Sequence, residues 1–182
     1  MNKFTLFKEE SLLLIIDIQE RLAPAMKYGK EVIKNTDILI SAAHEMNMPI
    51  IVTEQYPKGL GPTVPEINDR LGKALKFEKT MFTACTDEVI TALEAEGKKK
   101  IIITGMETHV CVFQTARDLI GLGYDVFVVS DGVCSRTKEN YKNGLDLIRD
   151  MKGAVINTET VIFDLMKKAG TPEFKVLSKL IK

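Results

Sequence analysis

Apolar residues along this chain fall into two alternating patterns: short unbroken runs, and longer stretches in which they return every three or four positions. The unbroken runs are Leu12–Asp17, Ile50–Glu54, Ile101–Gly105, Val126–Ser130 and Ala154–Ile156, with a weaker one over Ala74–Phe77. Most are rich in leucine or β-branched residues without polar alternation, the pattern of parallel strands buried on both faces. Between them, Glu31–Met48 places Ile33, Ile38, Leu39, Ala42, Ala43 and Met46 close to a 3.6-residue period. Thr86–Glu96 opens with a capping threonine and two acids and stops at Gly97, the punctuation of a helix. Thr108–Leu122, Lys138–Met151 and Thr158–Lys168 read as helices, and Pro172–Ile181 closes the chain as an amphipathic segment.

Strands alternating with helices predict a parallel sheet covered by helices on both faces, an α/β fold of three layers, α/β/α. Right-handed crossovers restrict it to a doubly wound sheet, which binds ligands beyond the carboxyl ends of its strands. At 182 residues, one domain over 1–182 is expected. One stretch interrupts the alternation. Tyr56–Pro65 carries three prolines and two glycines in ten residues, so it is expected to be neither helix nor strand, and it is either a pocket lid or a rigid connector.

Charge removes some classes of partner. The 25 basic and 25 acidic residues cancel, leaving no long-range field for nucleic acid or anionic lipid. The basic run Lys98-Lys99-Lys100 is expected in a solvated loop. No apolar run is long enough to span a bilayer. Cys85, Cys111 and Cys134 are odd in number and form no CxxC pair, and Met1–Ser11 does not read as a secretory or mitochondrial address. Reduced thiols and a cytoplasmic location are expected.

Three residues stand at strand ends with chemistry to offer. Asp17 ends the first apolar run, where partial desolvation raises a carboxylate's proton affinity and suits it to general base work. Cys111 lies near the start of the helix after the fourth strand, with Thr108 as a candidate cap. There the helix dipole is expected to lower the thiol's pKa below about 8.5, and free N–H groups are available to an oxyanion. Lys79 follows the weak third strand. Each has an ordinary alternative: a capping acid, a buried structural thiol, a solvated lysine. Together they form a nucleophile, a base and an orienting charge. Histidine is scarce. His44 sits mid-helix and is expected at the surface, while His109 lies near Cys111, either lining a pocket or solvated.

The segments LLLIIDIQ, KTMFTA and TGMETHVCVFQTARDLIGLGYDVFVVSDGVCSR, in that order and spacing, resemble the isochorismatase-like hydrolase superfamily over nearly the whole chain. TEQYPKGLGPTVPEI is closer still to its isochorismatase-domain-containing proteins. The resemblance implies a six-stranded sheet of order 3-2-1-4-5-6 and a catalytic triad of Asp17, Lys79 and Cys111. It also implies a cis bond between Met106 and Glu107, and an oxyanion hole from the backbone N–H groups of Glu107 and Cys111. Leu22, Tyr56, Phe82, Thr108 and His109 then become candidate pocket walls for a small, partly apolar substrate. Frequent oligomerisation in the family implies a homo-oligomer. Nicotinamidases of the superfamily bind a metal through histidines after the second strand. Here Thr53-Glu54-Gln55-Tyr56-Pro57 contains none, so neither metal nor other cofactor is expected. Cys85 stands where the family often has an aromatic residue, in a pocket wall or in the core. Three readings stay open: a cysteine hydrolase of small amides or esters, a vinyl ether hydrolase using Asp17 as acid, and a non-catalytic binding or assembly protein on the same fold.

Overall fold

A computed structural model of the chain describes residues 4–181. Residues 1–3 of the Met1–Ser11 segment, and Lys182, lie outside it. Six strands form one parallel sheet: β1 (Ser11–Ile16), β2 (Ile50–Gln55), β3 (Leu75–Lys79), β4 (Lys100–Met106), β5 (Asp125–Cys134) and β6 (Ala154–Ile156), in the order β3-β2-β1-β4-β5-β6. The helices are α1 (Gly29–Glu45), α2 (Pro57–Leu60), α3 (Pro65–Asn68), α4 (Asp87–Glu96), α5 (Phe113–Gly121), α6 (Lys138–Asp150), α7 (Thr158–Met166) and α8 (Pro172–Leu177).

The unbroken apolar runs exist because the sheet has two dry faces. In β1 every residue is buried. Leu13 and Ile15 point into a layer shared with α1, α7 and α8, whereas Leu12, Leu14 and Ile16 point into one shared with α4, α5 and α6. β1 pairs with both β2 and β4, so it forms the middle of the sheet. Truncating a leucine there to alanine would cost about 2–5 kcal/mol. The strand order reverses direction between β1 and β4, which is where a doubly wound sheet opens its ligand crevice.

Several local expectations need correction. Tyr56–Pro65 is not wholly irregular: Pro57–Leu60 makes one helical turn, started by a proline whose fixed φ suits a first helical position. Tyr56 takes a left-handed φ of 38° to enter it. The segment is also fastened. Thr63 gives its N–H and its hydroxyl to one oxygen of Glu54, at 2.7 and 2.6 Å, and pairs with Gln19 as an isolated bridge. Lys100 is not in a solvated loop. It opens β4, is only 2% exposed, and lies 3.5 Å from Asp125.

The helix expected over Thr108–Leu122 begins differently. Thr108–Val112 forms a π-helical turn preceded by Glu107, with no side-chain cap, and α5 follows. Thr108 is therefore inside the turn rather than its cap. Gly144 of α6 explains part of this, since a Cβ there would sit 2.8 Å from the Thr108 carbonyl and 2.9 Å from the His109 Cα. At the end of the chain, α8 stops at Leu177. Leu177, Phe174 and Ile181 pack against the α1-side core, whereas Val176 and Leu180 face outward, so the five apolar residues do not share one side.

Candidate active site

The strand order lays the candidate residues side by side. Lys79 ends β3, Thr53 and Gln55 end β2, Asp17 follows β1, and Cys111 follows β4. These are four neighbouring strands with their carboxyl ends at one rim. Asp17 leaves β1 with φ 55°, and its N–H donates to the Thr53 carbonyl at 3.1 Å. Its side chain is sealed from solvent. One carboxylate oxygen accepts from Lys79 Nζ at 2.7 Å, and the other accepts from Thr53 Oγ1 at 2.8 Å.

Lys79 is held as firmly as Asp17. Besides Asp17, its ammonium donates to Gln55 Oε1 at 2.7 Å, to the Phe82 carbonyl at 3.0 Å and to the Met81 carbonyl at 3.2 Å. These oxygen acceptors replace the water that the buried side chain has lost. The same bonds fix the backbone of the segment after β3. Gln55 is itself positioned, donating from Nε2 to the Thr80 carbonyl at 2.9 Å and from its N–H to Gln19 Oε1 at 2.8 Å.

The Asp17 carboxylate and the Glu107 N–H both act on the Cys111 thiol. Asp17 thus interacts with Lys79 and Cys111 at once. Burial raises the Asp17 pKa, against the opposing pull of the Lys79 ammonium and the Thr53 hydroxyl. Burial also pushes the thiol up to about 12, reinforced by the negative charge of Asp17 and only partly opposed by Lys79. This reverses the expectation of a thiol activated by a helix dipole. Cys111 is 6% exposed on a π turn, and desolvation beside an anion outweighs the free N–H groups. The resting sulfur is a protonated thiol.

The turn carrying this sulfur is tightly built. Gly105 has φ 132°, and a Cβ there would collide with the Ile16 backbone, so β4 can lie against β1 at this level only as glycine. The Met106–Glu107 peptide is cis. The Glu107 carboxylate accepts from the Arg136 N–H at 2.9 Å and from Arg136 Nε at 3.2 Å. His109 Nδ1 lies 3.0 Å from Ser135 Oγ. Ser135 and Arg136, which follow β5, therefore buttress the turn after β4.

The candidate pocket walls are dispersed. Tyr56 and Phe82 are more than half exposed at the rim. Tyr56 borders a cavity of about 300 Å3 with Lys79 and Thr80. Leu22 packs against the α1-side core, and His109 is half-buried. Thr108 has no exposed surface, and its hydroxyl has no partner among the described residues. Cys85 packs with the α4 and α5 layer, its sulfur 3.8 Å from the Thr115 carbonyl, which is a core environment. His44 is exposed, as expected, and meets the Arg70 carbonyl at 2.8 Å. Glu54, the acid nearest the rim on β2, is committed to Thr63 and Lys76. Among the described residues no group of three His, Cys, Asp or Glu side chains is gathered as for a metal.

Sequence reasoning overlooks Thr53 and Gln55. Their spacing of two along a strand that ends at the rim is the available signal, because it puts both on one face. Ser135 and Arg136 stand out in the sequence as a motif but without a task.

The isochorismatase domain model matches residues 11–160. The secreted isochorismatase effector Isc1 of Phytophthora sojae is 41% identical over 97% of this chain and 87% of its own length. Isochorismatase domain-containing protein 2 of Xenopus laevis is 35% identical, over 96% of this chain and 84% of the relative. Among solved structures, the MAR1 ribonuclease of Caenorhabditis elegans superposes with a TM-score of 0.93 at 36% identity, covering 97% of this chain and 92% of the other. The YcaC product of Escherichia coli, an octameric hydrolase of unknown specificity, gives 0.91 at 26% identity, over 97% and 90%. No described helix is long and apolar enough to cross a membrane. On the matched domain, the sheet order and these relatives, the chain belongs to the isochorismatase family and is an isochorismatase-like hydrolase.

Proposed function

We propose that the chain hydrolyses a small amide or ester through a thioester on Cys111, using no metal. The observation behind this reading is the single buried carboxylate of Asp17, hydrogen-bonded to the Lys79 ammonium and acting on the Cys111 thiol. Asp17 takes the thiol proton as the sulfur attacks the carbonyl carbon. The developing oxyanion is met by the N–H groups of Glu107 and Cys111. Asp17 then gives its proton to the departing amine or alcohol, leaving the acyl group on sulfur. A water molecule, deprotonated by Asp17, attacks the thioester and releases the acid and the thiol. A carboxylate with raised proton affinity suits these transfers, and Lys79 offsets the charge that returns to it between steps.

The substrate is a small molecule rather than a polyanion. The C. elegans relative is called a ribonuclease, but cancelling charges give this chain little of the phosphate attraction on which RNA binding rests. Its three cysteines are free, which fits a reducing, cytoplasmic setting. A homo-oligomer is expected, in keeping with the octameric E. coli relative.

The raised pKa of Asp17 also favours a second reading, in which a protonated Asp17 acts as acid on an isochorismate-like vinyl ether. One panel separates the two: small amides, activated esters, isochorismate and RNA, each with wild type, Cys111→Ala and Asp17→Asn. Thioester chemistry requires that both variants lose activity. Activity surviving in Cys111→Ala but lost in Asp17→Asn supports the vinyl ether. Activity in both variants, or on RNA alone, overturns the proposal.

A further inference from the structure

A cavity of about 330 Å3 opens at the carboxyl end of β5, beside the start of α6 and the first turn of α1. Its lining includes none of Asp17, Lys79 and Cys111. It meets their surroundings through Ser135 and Arg136, the partners of His109 and Glu107, and through the strand pairing of Val133 and Cys134 with Gly105 and Met106. The cavity is therefore separate from the Asp17–Cys111 site, and a ligand held in it does not depend on the proposed reaction.

The base of the cavity is apolar and dry. Val32, Val133 and Cys134 are each buried to within 2% of full enclosure. Burial, with Glu107 and Glu31 nearby, pushes the Cys134 thiol up to about 12, so the base carries no charge at neutral pH. Two aromatic side chains, Tyr28 and Tyr141, complete the apolar part. The Tyr141 ring is fixed by its hydroxyl, which donates to the Ser130 carbonyl at 2.8 Å.

The polar part is charged. Lys27, Arg136 and Lys138 reach the lining, against the acids Glu31 and Asp131, and Glu107 outside the lining pairs with Arg136, so the formal charges cancel. Asp131 is already engaged, accepting the N–H and hydroxyl of Thr158 at 2.8 and 2.9 Å. Arg136 is held in place through Nε by Glu107, while its terminal nitrogens make no hydrogen bond among the described residues. Lys27 and Lys138 form no ion pair there either; Lys27 Nζ lies 5.4 Å from the Tyr28 ring centroid. The first N–H groups of α6 add the positive end of a helix dipole at the same place. A pre-positioned guanidinium beside aromatic rings is an arrangement suited to a carboxylate with an apolar body.

We propose that this cavity is a binding site for a small organic monocarboxylate with a compact apolar body, such as one ring or a short branched chain. The volume lies at the lower end of the range for ligand pockets, which limits the body to about that size. Lys27 and Lys138, which form no ion pair among the described residues, and the outer guanidinium nitrogens of Arg136 match one carboxylate. The apolar base distinguishes such a ligand from inorganic phosphate, which would leave it unfilled.

The test is titration of the full-length protein with benzoate, benzamide and inorganic phosphate, followed through backbone amide resonances. Benzoate should saturate with a Kd of about 1 mM or tighter and should move resonances over 133–141 and near Tyr28. Benzamide and phosphate should bind at least about tenfold more weakly. Tyr28→Ala and Lys138→Gln, both at exposed positions, should each weaken benzoate by about tenfold, and Cys111→Ala should leave it unchanged. Benzoate that fails to saturate, or shifts centred on residues 17 and 111, would overturn the proposal. So would benzamide binding as well as benzoate, or both cavity variants binding like wild type.

Discussion

Asp17 Oδ2 and Lys79 Nζ stand 2.7 Å apart with both side chains at 0% exposure, so the charge pair at the rim of this sheet is dry. A pair in water would contribute little. Here each charge has lost its hydration and depends on the other, and removing one partner would cost about 3–5 kcal/mol by stranding the second. The surrounding oxygens of Thr53, Gln55, Met81 and Phe82 make the arrangement tolerable. The fold thereby holds a buried carboxylate where it acts on the Cys111 thiol.

The thiol should report that carboxylate. Cys111 lies near pKa 12 largely through burial and then through the Asp17 charge. Asp17→Asn removes the charge while Lys79 remains, so thiolate becomes easier to form and the pKa falls. Alkylation by iodoacetamide against pH, read at Cys111 by peptide mass, should show the midpoint at least about one unit lower in the variant. Hydrolysis should nevertheless be lost, because the proton acceptor has gone. An unchanged or higher midpoint would mean that Asp17 does not govern the sulfur.

Gln55→Leu should separate support of the site from support of the fold. It removes one acceptor from Lys79 and the bond to the Thr80 carbonyl. The expected loss is about 1–3 kcal/mol of transition-state stabilisation, seen as a fall in kcat of about tenfold or more with little change in KM. Gln55→Glu, which keeps an acceptor on Lys79, should recover part of it. A variant with wild-type kcat would remove Gln55 from the machinery.

Acid should release the segment after α2. Burial pushes the Glu54 pKa up, but the Thr63 hydroxyl and amide and then Lys76 outweigh it, and the net shift is downward. A carboxylate depressed in the folded state contributes stability that is complete above its ordinary value of 4.5 and is lost as pH falls through the lower folded value. Local opening, measured by hydrogen exchange at the Thr63 amide with intrinsic rates corrected, should therefore increase only below about pH 4.5. Glu54→Gln should open it at neutral pH.

Gly144→Ala tests the packing of the π turn. A Cβ would press on the backbone of Thr108 and His109 at 2.8 and 2.9 Å, and neither can rotate away. Overpacking of this kind costs about 1–3 kcal/mol and should displace the turn that carries Cys111. The measurement is the urea midpoint together with Cys111 alkylation. Wild-type values in both would show that the approach of α6 is not tight.

Where burial follows directly from pattern, the sequence is easily read. The runs at Leu12, Ile50 and Ile101 form the inner strands because only strands with two dry faces need unbroken apolar residues. Gly97 ends α4 with a left-handed φ of 63°, as its position implies. The rim positions of Asp17 and Cys111 follow from those strand ends, and that of Lys79 from the end of the weaker edge strand. Electrostatics is not legible in the same way. The Cys111 thiol depends on desolvation and on a neighbour 94 positions away in the chain, and neither is a local property. Lys100 is misplaced by its sequence for a related reason: its charge suggests solvent, whereas Asp125 across the sheet lets it stay buried.

The thioester is tested most directly by intact-protein mass spectrometry after rapid quenching with p-nitrophenyl acetate, followed by peptide mapping. The expected result is one acetyl group on Cys111 in wild type, decaying on the timescale of turnover, and much slower acetylation in Asp17→Asn. Turnover with acetyl on another residue, or undiminished hydrolysis by Cys111→Ala, would contradict the nucleophilic role of Cys111.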